Sequence, residues 1–306
     1  MRVFVAGATG YVGSAVVREL LGARHQVVGL ARSNTAAATL ADAGVDVHRG
    51  DIEDLDRLRA GAAAADGVIY AANKHISETT DSAARARVEL AAVQAIGAEL
   101  AGTGKPFVIT SGVIGRTPGH LLTEDSVAVP SALTALRLPV EESVLALGEH
   151  GVRSSSVRLA PTVHGEGDAR GFIAMLIDIA RAAGVSAFVG DGTNRWSAVH
   201  RRDAATLFRL ALESAPAGSP LHAVAEEGVP FRDIAEAIGR RLELPVASVI
   251  GEEADRHFGL LAPIVAIDNP TSSALTRERL GWQPTHPSLI ADIRHTYPVL
   301  PDVLTR

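Results

Sequence analysis

The chain has 306 residues, of which 47% are hydrophobic and 21% charged, and this length suits one large α/β domain or a core with a smaller lobe. The absence of cysteine excludes disulfides, thiolate nucleophiles and cysteine-ligated metal centres. The net charge of −6, without a long run of basic residues, argues against nucleic acid and anionic membranes as primary partners.

The first half of the chain alternates short β-branched runs with alanine-rich stretches of helical pattern. Short apolar runs predict buried strands, and apolar residues repeated every three to four positions predict helices. Strands separated by helices form right-handed βαβ units, which place the strands in one parallel sheet covered on both faces. The predicted strands are 3–6, 26–31, 45–48, 67–72, 106–110 and 152–159, and the predicted helices are 11–21, 54–64, 82–101 and 139–149.

Beyond residue 165 the alternation loosens, and connections containing proline and glycine join the later helices. We therefore predict a Rossmann-type α/β fold, a doubly wound parallel sheet with a smaller C-terminal substrate lobe. Residues 1–165 are predicted to form the dinucleotide-binding core, to which 195–225 return, and 166–306 the interleaved lobe. The later helical patterns are 169–183, 202–213 and 231–242.

A glycine-rich turn follows the first predicted strand and opens the next helix. In this context the first glycine permits a tight turn, the next lets backbone N–H groups approach a pyrophosphate, and the third allows close packing of helix and strand. The helix N-terminus adds partial positive charge. The turn predicts dinucleotide binding, with a purely structural turn as the alternative. Its predicted cofactor-binding residues are Gly7, Thr9, Gly10, Tyr11, Val12 and Gly13.

The residues after the second strand indicate which dinucleotide binds. An NAD site usually places an acid about 20 residues beyond the glycines to bind the ribose 2′-hydroxyl. Here no acid occurs between Glu19 and Asp42, and the strand runs into Arg32 and Ser33 instead. A guanidinium beside small polar groups suits a 2′-phosphate, so we predict NADP rather than NAD. The alternative is that Arg32 stacks on the adenine or lies in solvent.

Two further loops are predicted to contact the cofactor. Asp51 and Ile52 follow the third strand, where Asp51 can accept a hydrogen bond from the adenine amino group and Ile52 can cover one ring face. Asp51 as the N-cap of the following helix is the alternative. We also expect Ala71 and Ala72, which end the fourth strand, to line the cofactor site.

Several segments match, in order, the motifs of one enzyme superfamily: Gly7 to Gly13, Gly50-Asp51-Ile52, Val108-Ile109-Thr110-Ser111, Val157 to Gly165, Ala198 to Ala205, and Leu280-Gly281-Trp282-Gln283-Pro284. In these segments the chain resembles the short-chain dehydrogenase/reductase superfamily, in the extended branch that includes NAD-dependent epimerases and dehydratases. The resemblance covers nearly the whole chain. It implies a nicotinamide cofactor, with Pro161 and Val163 beside the nicotinamide.

The chain departs from this superfamily at the helix after the fifth strand. Members usually carry a Tyr-x-x-x-Lys there, in which the tyrosine donates a proton to the carbonyl and the lysine lowers its pKa. In the equivalent window after Ser111, Arg137 stands in the tyrosine position and Glu141 in the lysine position. Because arginine does not give up its proton, it cannot replace the tyrosine as general acid. The chain therefore resembles an atypical member.

The two lysines of the chain are Lys74 and Lys105. Tyr70 and Lys74 match Tyr-x-x-x-Lys literally, but Tyr70 falls in a predicted strand, where residues four apart do not share a helical face. We expect a core Tyr70 with Lys74 on a loop near the cofactor, and a displaced catalytic pair is the alternative. Lys105 precedes the fifth strand and is predicted at the opposite sheet edge from the ligands.

Four residues are candidates for the chemistry: Ser111, Arg137, His164 and His200. Ser111 ends the fifth strand and can bind a substrate oxygen, and Arg137 can bind or polarise an anionic or carbonyl group. A histidine has a pKa suited to proton transfer, and His164 is expected to face the cleft. The alternatives are a turn role for Ser111, an Arg137–Glu141 salt bridge at i, i+4, and structural roles for both histidines. No histidine spacing predicts a metal site.

These patterns predict an atypical NADP-dependent oxidoreductase that transfers hydride to or from a small carbonyl or alcohol substrate. The missing Tyr/Lys pair leaves a non-catalytic NADP-binding sensor or partner protein as an alternative, and an epimerase or dehydratase that retains its cofactor as another. We expect a small-molecule substrate and a monomer or homodimer. No apolar stretch is long enough to span a bilayer and no signal peptide is recognised, so we expect a cytoplasmic protein.

Overall fold

The computed structural model describes residues 1–73, 81–114, 119–131 and 134–298. The strands in this part of the chain divide between one large sheet and two small ones. They are β1 (Arg2–Ala6), β2 (Gln26–Ala31), β3 (Asp46–Arg49), β4 (Gly67–Tyr70), β5 (Pro106–Gly112), β6 (Arg153–Leu159), β7 (Thr162–His164), β8 (Ser186–Val189), β9 (Arg195–His200), β10 (Ser219–Ala223), β11 (Glu226–Pro230) and β12 (Val246–Val249).

The large sheet contains seven of the described strands, in the order β3-β2-β1-β4-β5-β6-β10. Every pairing in it is parallel. The order runs outward from β1 in both directions, which is the doubly wound arrangement that the alternating pattern predicts. The chain reverses direction across the sheet between β1 and β4, so the loops after these two strands diverge and leave a crevice.

Helices cover both faces of the large sheet because alternate strand residues point to opposite sides. The helices are α1 (Tyr11–Gly22), α2 (Asn34–Asp42), α3 (Leu55–Ala63), α4 (Ser82–Leu100), α5 (Leu138–Leu145), α6 (Phe172–Ala183), α7 (Arg201–Ser214), α8 (Phe231–Leu242), α9 (Glu252–Phe258), α10 (Ala262–Val265), α11 (Ala274–Leu280) and α12 (Leu289–His295). Val3 and Val5 pack with α1 and α7, whereas Phe4 and Ala6 pack with α3, α4 and α5.

A smaller lobe is built around a second hydrophobic core. Within the described residues, β7, β9 and β11 form a three-stranded sheet and β8 pairs with β12. Trp196 and Phe231 are buried at the centre of this core, which α6, α8 and α9 complete. The segment from β9 to β10 links the two parts, since α7 packs on the large sheet and β10 pairs with β6. None of the described helices is both long and apolar enough to cross a membrane.

Helix α2, the end of α5 and the start of α6 differ from the sequence prediction for local reasons. Helix α2 is absent from the predicted set because only Leu40 of its residues is buried, which leaves almost no apolar repeat. The helix predicted over 139–149 ends at Leu145 and continues as a 3₁₀ turn that stops at Gly151, whose φ of 72° is left-handed. Helix α6 begins three residues later than predicted, after a turn that Asp168 organises.

Candidate functional site

A cavity of about 550 Å³ opens at the carboxyl edge of the large sheet, at the crevice between β1 and β4. Ligands of doubly wound proteins bind at this position. The predicted cofactor residues that line it are Gly7, Thr9, Gly10, Arg32, Ser33, Asp51, Ile52, Ala71 and Ala72. The lining residues that the sequence reasoning did not single out are Leu30, Thr35, Ala36, Thr39, Gly50, Asn73 and Arg170.

The phosphate turn, residues 7–13, requires glycine for steric reasons. Gly7 has a φ of +87°, and a Cβ there would lie 2.6 Å from the backbone carbonyl of Ala71. A Cβ on Gly13 would lie 2.0 Å from the Gly7 carbonyl oxygen. The turn thus brings bare backbone to the cavity wall at the N-terminus of α1, for which Gly10 is the N-cap. This geometry fits the pyrophosphate of a dinucleotide.

Five predicted cofactor residues lie outside the described cavity lining: Tyr11, Val12, Gly13, Pro161 and Val163. Gly13 packs directly against the Gly7 carbonyl and so supports the turn without lining the cavity. The Tyr11 hydroxyl donates a hydrogen bond to the Gly165 carbonyl at 3.1 Å, and the Arg201 guanidinium lies 4.5 Å from the Tyr11 ring centre. Burial raises the pKa of Tyr11, so this phenol stays protonated and joins α1 to the smaller lobe.

Arg32 and Ser33 line the cavity at the end of β2. In dinucleotide-binding proteins this position contacts the ribose of the adenosine half. The Ser33 Oγ accepts a hydrogen bond from the Ala36 N–H at 3.1 Å as the N-cap of α2. Its hydroxyl hydrogen can still be donated to a phosphate. Arg49, which the sequence reasoning missed, donates to the Ser33 carbonyl at 2.6 Å and to the Asn34 side chain. This places a second guanidinium beside the Ser33 loop.

Asp51 and Ile52 line the cavity on the loop that follows β3. The Asp51 carboxylate accepts a hydrogen bond from the Glu53 N–H at 3.1 Å, which closes a short turn. The N-cap of α3 is Asp54, whose carboxylate accepts from the Arg57 N–H. The alternative that Asp51 caps this helix is therefore wrong, and its position in the cavity wall is the one expected of an adenine contact.

Ser111 and Arg137 both lie at the carboxyl edge of the large sheet, one strand along from the cavity. Ser111 continues the series of β5 residues that face α4 and α5, and it is buried. Arg137 is the N-cap residue of α5, and its Nη2 donates to the Thr110 carbonyl at 3.4 Å. The same Nη2 donates to the Glu89 carboxylate at 2.8 Å. The Arg137 side chain is 42% exposed, so it reaches from a buried anchor towards solvent.

Glu89, on α4, is a functional candidate that the sequence reasoning missed. Its side chain is 5% exposed, and it forms the one ion pair that the described residues give Arg137. Burial raises the pKa of Glu89, and the Arg137 guanidinium opposes this shift in part. No sequence spacing signals the pair, because the two residues lie 48 positions apart on different helices.

Glu141, where the superfamily has lysine, points into the protein interior. Its carboxylate accepts hydrogen bonds from the Arg158 Nε at 2.8 Å and the Ser156 hydroxyl at 2.7 Å. The expected alternative of an Arg137–Glu141 salt bridge is thus wrong, since each residue pairs with a partner on another element. Arg158 also donates to the Glu124 carbonyl at 3.3 Å, which makes this a buried polar network.

The literal Tyr-x-x-x-Lys match gains no support from the described residues. Tyr70 is the last residue of β4 and is 1% exposed, as the strand pattern predicts. Lys74 lies outside the described residues. Lys105 precedes β5 at the amino edge of the sheet, and its ammonium donates to the Ala63 carbonyl at 3.1 Å. Lys105 is therefore remote from the carboxyl edge where ligands bind.

His164 and His200 belong to a buried cluster that also contains Asp292 of α12. His164 is 0% exposed rather than facing the cleft, and its Nδ1 lies 2.5 Å from the Asp292 carboxylate. The two imidazole centres are 5.5 Å apart. Among the described residues, neither ring is hydrogen-bonded to Ser111 or Arg137. Burial lowers the pKa of His200 to about 4, although the nearby Asp292 charge raises it in part.

His200, Asp203 and His286 have ligand-type atoms within 4.8 Å of one another, which is the spacing of a candidate metal site. The Asp203 carboxylate already accepts from the Thr285 N–H at 3.0 Å and from the His286 ring at 2.8 Å. The His200 Nδ1 accepts from the Arg202 N–H at 3.2 Å, which caps α7. These hydrogen bonds hold α7 against the segments that follow it, so the three residues have a structural role.

Comparison with known proteins agrees with this geometry. The family model described as NAD dependent epimerase/dehydratase family matches residues 3–224. The chain belongs to this family. Membership confirms the superfamily resemblance and its NAD(P)-dependent, Rossmann-type character.

Individual proteins also match this chain over most of its length. The chain is 49% identical to "Uncharacterized protein C2A9.02" of Schizosaccharomyces pombe, over 96% of this chain and 98% of that protein. It is 30% identical to the 2'-dehydrokanamycin reductase of Streptomyces kanamyceticus, over 80% of this chain and 68% of that protein. The dTDP-glucose 4,6-dehydratase DesIV of Streptomyces venezuelae, solved with NAD and TYD bound, superposes with a TM-score of 0.77 at 20% identity, covering 97% and 95% of the two chains.

Proposed function

We propose that the protein is an NADP-dependent reductase of a small carbonyl compound, working reversibly on the corresponding alcohol. The observation that carries the proposal is the cavity at the β1/β4 crevice, where the glycine turn and the Arg32–Ser33 loop line one continuous wall. The cavity lies one strand from Ser111, so a dinucleotide seated on the turn extends towards the polar groups at the end of β5. The name of the S. kanamyceticus relative supports the choice of a reductase.

The preference for NADP rests on charge. Asp51 is the one acid among the described lining residues, and it sits on the loop after β3. The loop after β2 carries Arg32 and Ser33, with Arg49 hydrogen-bonded to it. A 2′-phosphate placed there gains charge-assisted hydrogen bonds, whereas the 2′-hydroxyl of NAD meets no acceptor carboxylate on that loop.

Ser111 and Arg137 orient the reacting oxygen in this proposal. When bound, the cofactor supplies or accepts a hydride at the nicotinamide ring. Arg137 uses Nη2 to bind Glu89 and the Thr110 carbonyl, which leaves the N–H groups of Nε and Nη1 to stabilise negative charge on a substrate oxygen. The Ser111 hydroxyl adds a neutral hydrogen bond. Because the guanidinium keeps its protons, the proton that completes the alcohol comes from water in the cleft.

Glu89 acts as a positioning residue for Arg137. A long side chain at a helix N-terminus has many rotamers, and the 2.8 Å ion pair with a buried carboxylate selects one of them. The pair also lowers the net charge at this point of the cleft, so a neutral carbonyl is favoured over a strongly anionic group.

Equilibrium titration with NADPH and NADH tests the cofactor assignment. Wild-type protein is expected to bind NADPH at least about tenfold more tightly than NADH, since charged hydrogen bonds to the 2′-phosphate are lost with NADH. Arg32→Ala is expected to remove most of this preference while leaving NADH binding unchanged. Equal affinity of wild-type protein for the two dinucleotides would overturn the assignment.

Family membership favours one second candidate, an epimerase or dehydratase that retains its cofactor. Such an enzyme oxidises and then reduces the same substrate, so it forms product with no net consumption of NADPH. It also predicts cofactor that copurifies with the protein. The reductase consumes one NADPH for each alcohol formed, which separates the two candidates.

A further inference from the structure

One wall of the cofactor cavity comes from the smaller lobe. All the other described lining residues lie between Gly7 and Asn73, whereas Arg170 follows β7 and directly precedes the N-cap of α6. Its side chain is exposed, and its guanidinium has no hydrogen bond or ion pair with any other described residue. A cation is thus held over the cavity from the far side of the crevice.

The turn that carries Arg170, residues 165–171, is anchored by a buried carboxylate. Asp168 accepts hydrogen bonds from the Gly171 N–H at 2.7 Å and from the Tyr297 hydroxyl at 2.7 Å. A Cβ at position 171 would lie 2.6 Å from the Asp168 carboxylate, so a larger residue there would displace this side chain from its hydrogen bonds. The backbone at Arg170 is therefore held by Asp168, which is itself bound by Tyr297 near the end of the described chain.

The same turn lies over the first turn of α1. The Gly165 carbonyl accepts from the Tyr11 hydroxyl at 3.1 Å. Arg201 bridges the two segments, donating to the Glu166 carbonyl at 2.7 Å and to the Ser14 hydroxyl at 2.9 Å. These contacts set the Arg170 turn against the phosphate turn rather than against the adenine loops, which follow β2 and β3.

The phosphate turn by itself offers no charged side chain. The first turn of α1 carries no acidic residue, and the lining residues Gly7, Thr9 and Gly10 present backbone N–H groups and a hydroxyl. A pyrophosphate bears two negative charges, for which helix-terminal N–H groups supply only partial compensation. A guanidinium is suited to complete it, because its planar donors bind phosphate oxygens in pairs.

Building on the proposed function, we propose that Arg170 binds the pyrophosphate of the dinucleotide and that the smaller lobe thereby contributes directly to cofactor affinity. Arg32 and Arg170 then divide the work: Arg32 selects the 2′-phosphate, and Arg170 holds the phosphates that NAD and NADP share. Cofactor choice and cofactor affinity are consequently set by different lobes.

Fragment titrations separate these two roles by direct binding, without any turnover. The ligands are NADPH, NADH, ADP-ribose, which keeps the pyrophosphate, and adenosine 2′-monophosphate, which keeps the 2′-phosphate and has neither phosphate of the pyrophosphate. Arg170→Ala is expected to weaken NADPH, NADH and ADP-ribose by about tenfold each and to leave adenosine 2′-monophosphate within about twofold. Arg32→Ala is expected to weaken NADPH and adenosine 2′-monophosphate and to leave NADH and ADP-ribose unchanged.

Two further variants control for charge and for folding. Arg170→Lys keeps the charge and is expected to recover part of the affinity. Arg240→Ala removes an exposed arginine that pairs with Glu236 in the smaller lobe, and it is expected to change none of the four affinities. An Arg170→Ala protein with wild-type affinity for ADP-ribose, or with equal losses for all four ligands, would overturn the proposal. Wild-type protein that binds none of the dinucleotides would instead remove the proposed function on which it rests.

Discussion

The cofactor end and the reacting end of the proposed site are built by different means. At the phosphate turn, backbone atoms approach so closely that residues 7 and 13 have room only for hydrogen as a side chain. At the end of β5, the decisive groups are long charged side chains, and each is held by an ion pair with another element. The first end is fixed by local sterics and the second by long-range electrostatics. The phosphate turn therefore keeps the glycines of the family motif, because its backbone geometry allows no side chain there. The reacting end has Arg137 and its distant partner Glu89 instead of the family's Tyr-x-x-x-Lys.

Removing the buried partner of Arg158 is expected to give the largest effect on stability. Glu141→Ala leaves a guanidinium uncompensated in the interior, and such changes lower the free energy of unfolding by about 3–5 kcal/mol. Chemical denaturation measures the loss. Glu142→Ala, the exposed neighbour on the same helix, is the matched control and is expected to change stability by less than about 0.5 kcal/mol. Equal effects of the two variants would show that the Glu141 network is not the structural feature described above.

Removing the exposed cation at the reacting end is expected to affect chemistry rather than cofactor binding. Arg137→Ala is expected to lower kcat/KM for carbonyl reduction by about 100- to 1,000-fold, the usual effect of losing a donor to a developing oxyanion. The NADPH dissociation constant is expected to stay unchanged. Glu89→Gln keeps an acceptor but loses the charge, so a smaller loss is expected. If Arg137→Ala weakened NADPH binding as much as it slowed turnover, the separation of the two ends would fail.

A methyl group added to the phosphate turn tests the steric end of the comparison. In Gly13→Ala the new Cβ meets the Gly7 carbonyl oxygen at 2.0 Å, and relief of the clash must displace backbone. We expect a loss of about 3 kcal/mol in unfolding free energy and a parallel loss of NADPH affinity. Gly22→Ala, in the same helix with nothing within 4 Å of its Cβ, serves as the control. Wild-type affinity in Gly13→Ala would contradict the account of the turn.

The histidine cluster is expected to make stability depend on pH in a defined window. The pKa of His200 is lowered from 6.5 to about 4, so the unfolded chain takes up a proton before the folded one does. Stability is therefore full above pH 6.5 and falls as the pH drops towards 4, by about 3 kcal/mol. His200→Asn keeps an acceptor for the Arg202 N–H and is expected to flatten this fall. If wild-type protein and His200→Asn showed identical pH profiles of unfolding free energy, the assignment of this fall to His200 would be refuted.

Asp292 contributes to the pH dependence at a lower pH than His200. Burial raises its pKa, but the hydrogen bond and charge of His164, the Thr296 hydrogen bond and the His200 charge together outweigh burial, so the net shift is downward. The stability that Asp292 supplies is present above its unfolded pKa and is lost as the pH falls through the lower folded value. Asp292 therefore does not contribute to the loss between pH 6.5 and 4. Burial also lowers the pKa of His257, so the His200→Asn variant measures the share of this loss that belongs to His200.

Much of the fold and the cofactor end followed from local sequence signals. The strand runs, the glycine spacing and the missing acid after β2 each depend on residues close together in the chain. The reacting end did not follow, because Glu89 and Arg137 are 48 residues apart and no periodicity links them. The i, i+4 spacing even favoured the wrong partner for Arg137, since α5 begins at the next residue and turns Glu141 into the core. Arg170 carried no signal at all, because only the packing of the smaller lobe brings it to the cavity.

The most direct test of the central claim is net cofactor consumption by wild-type protein. A panel of small ketones, aldehydes and imines is incubated with NADPH, and both NADPH loss and product formation are measured for each compound. The account predicts at least one compound for which one NADPH is oxidised per alcohol or amine formed, with a slower reaction from NADH. Product without net NADPH loss would identify an epimerase or dehydratase, and binding of NADPH without turnover of any compound would contradict the assignment as an enzyme.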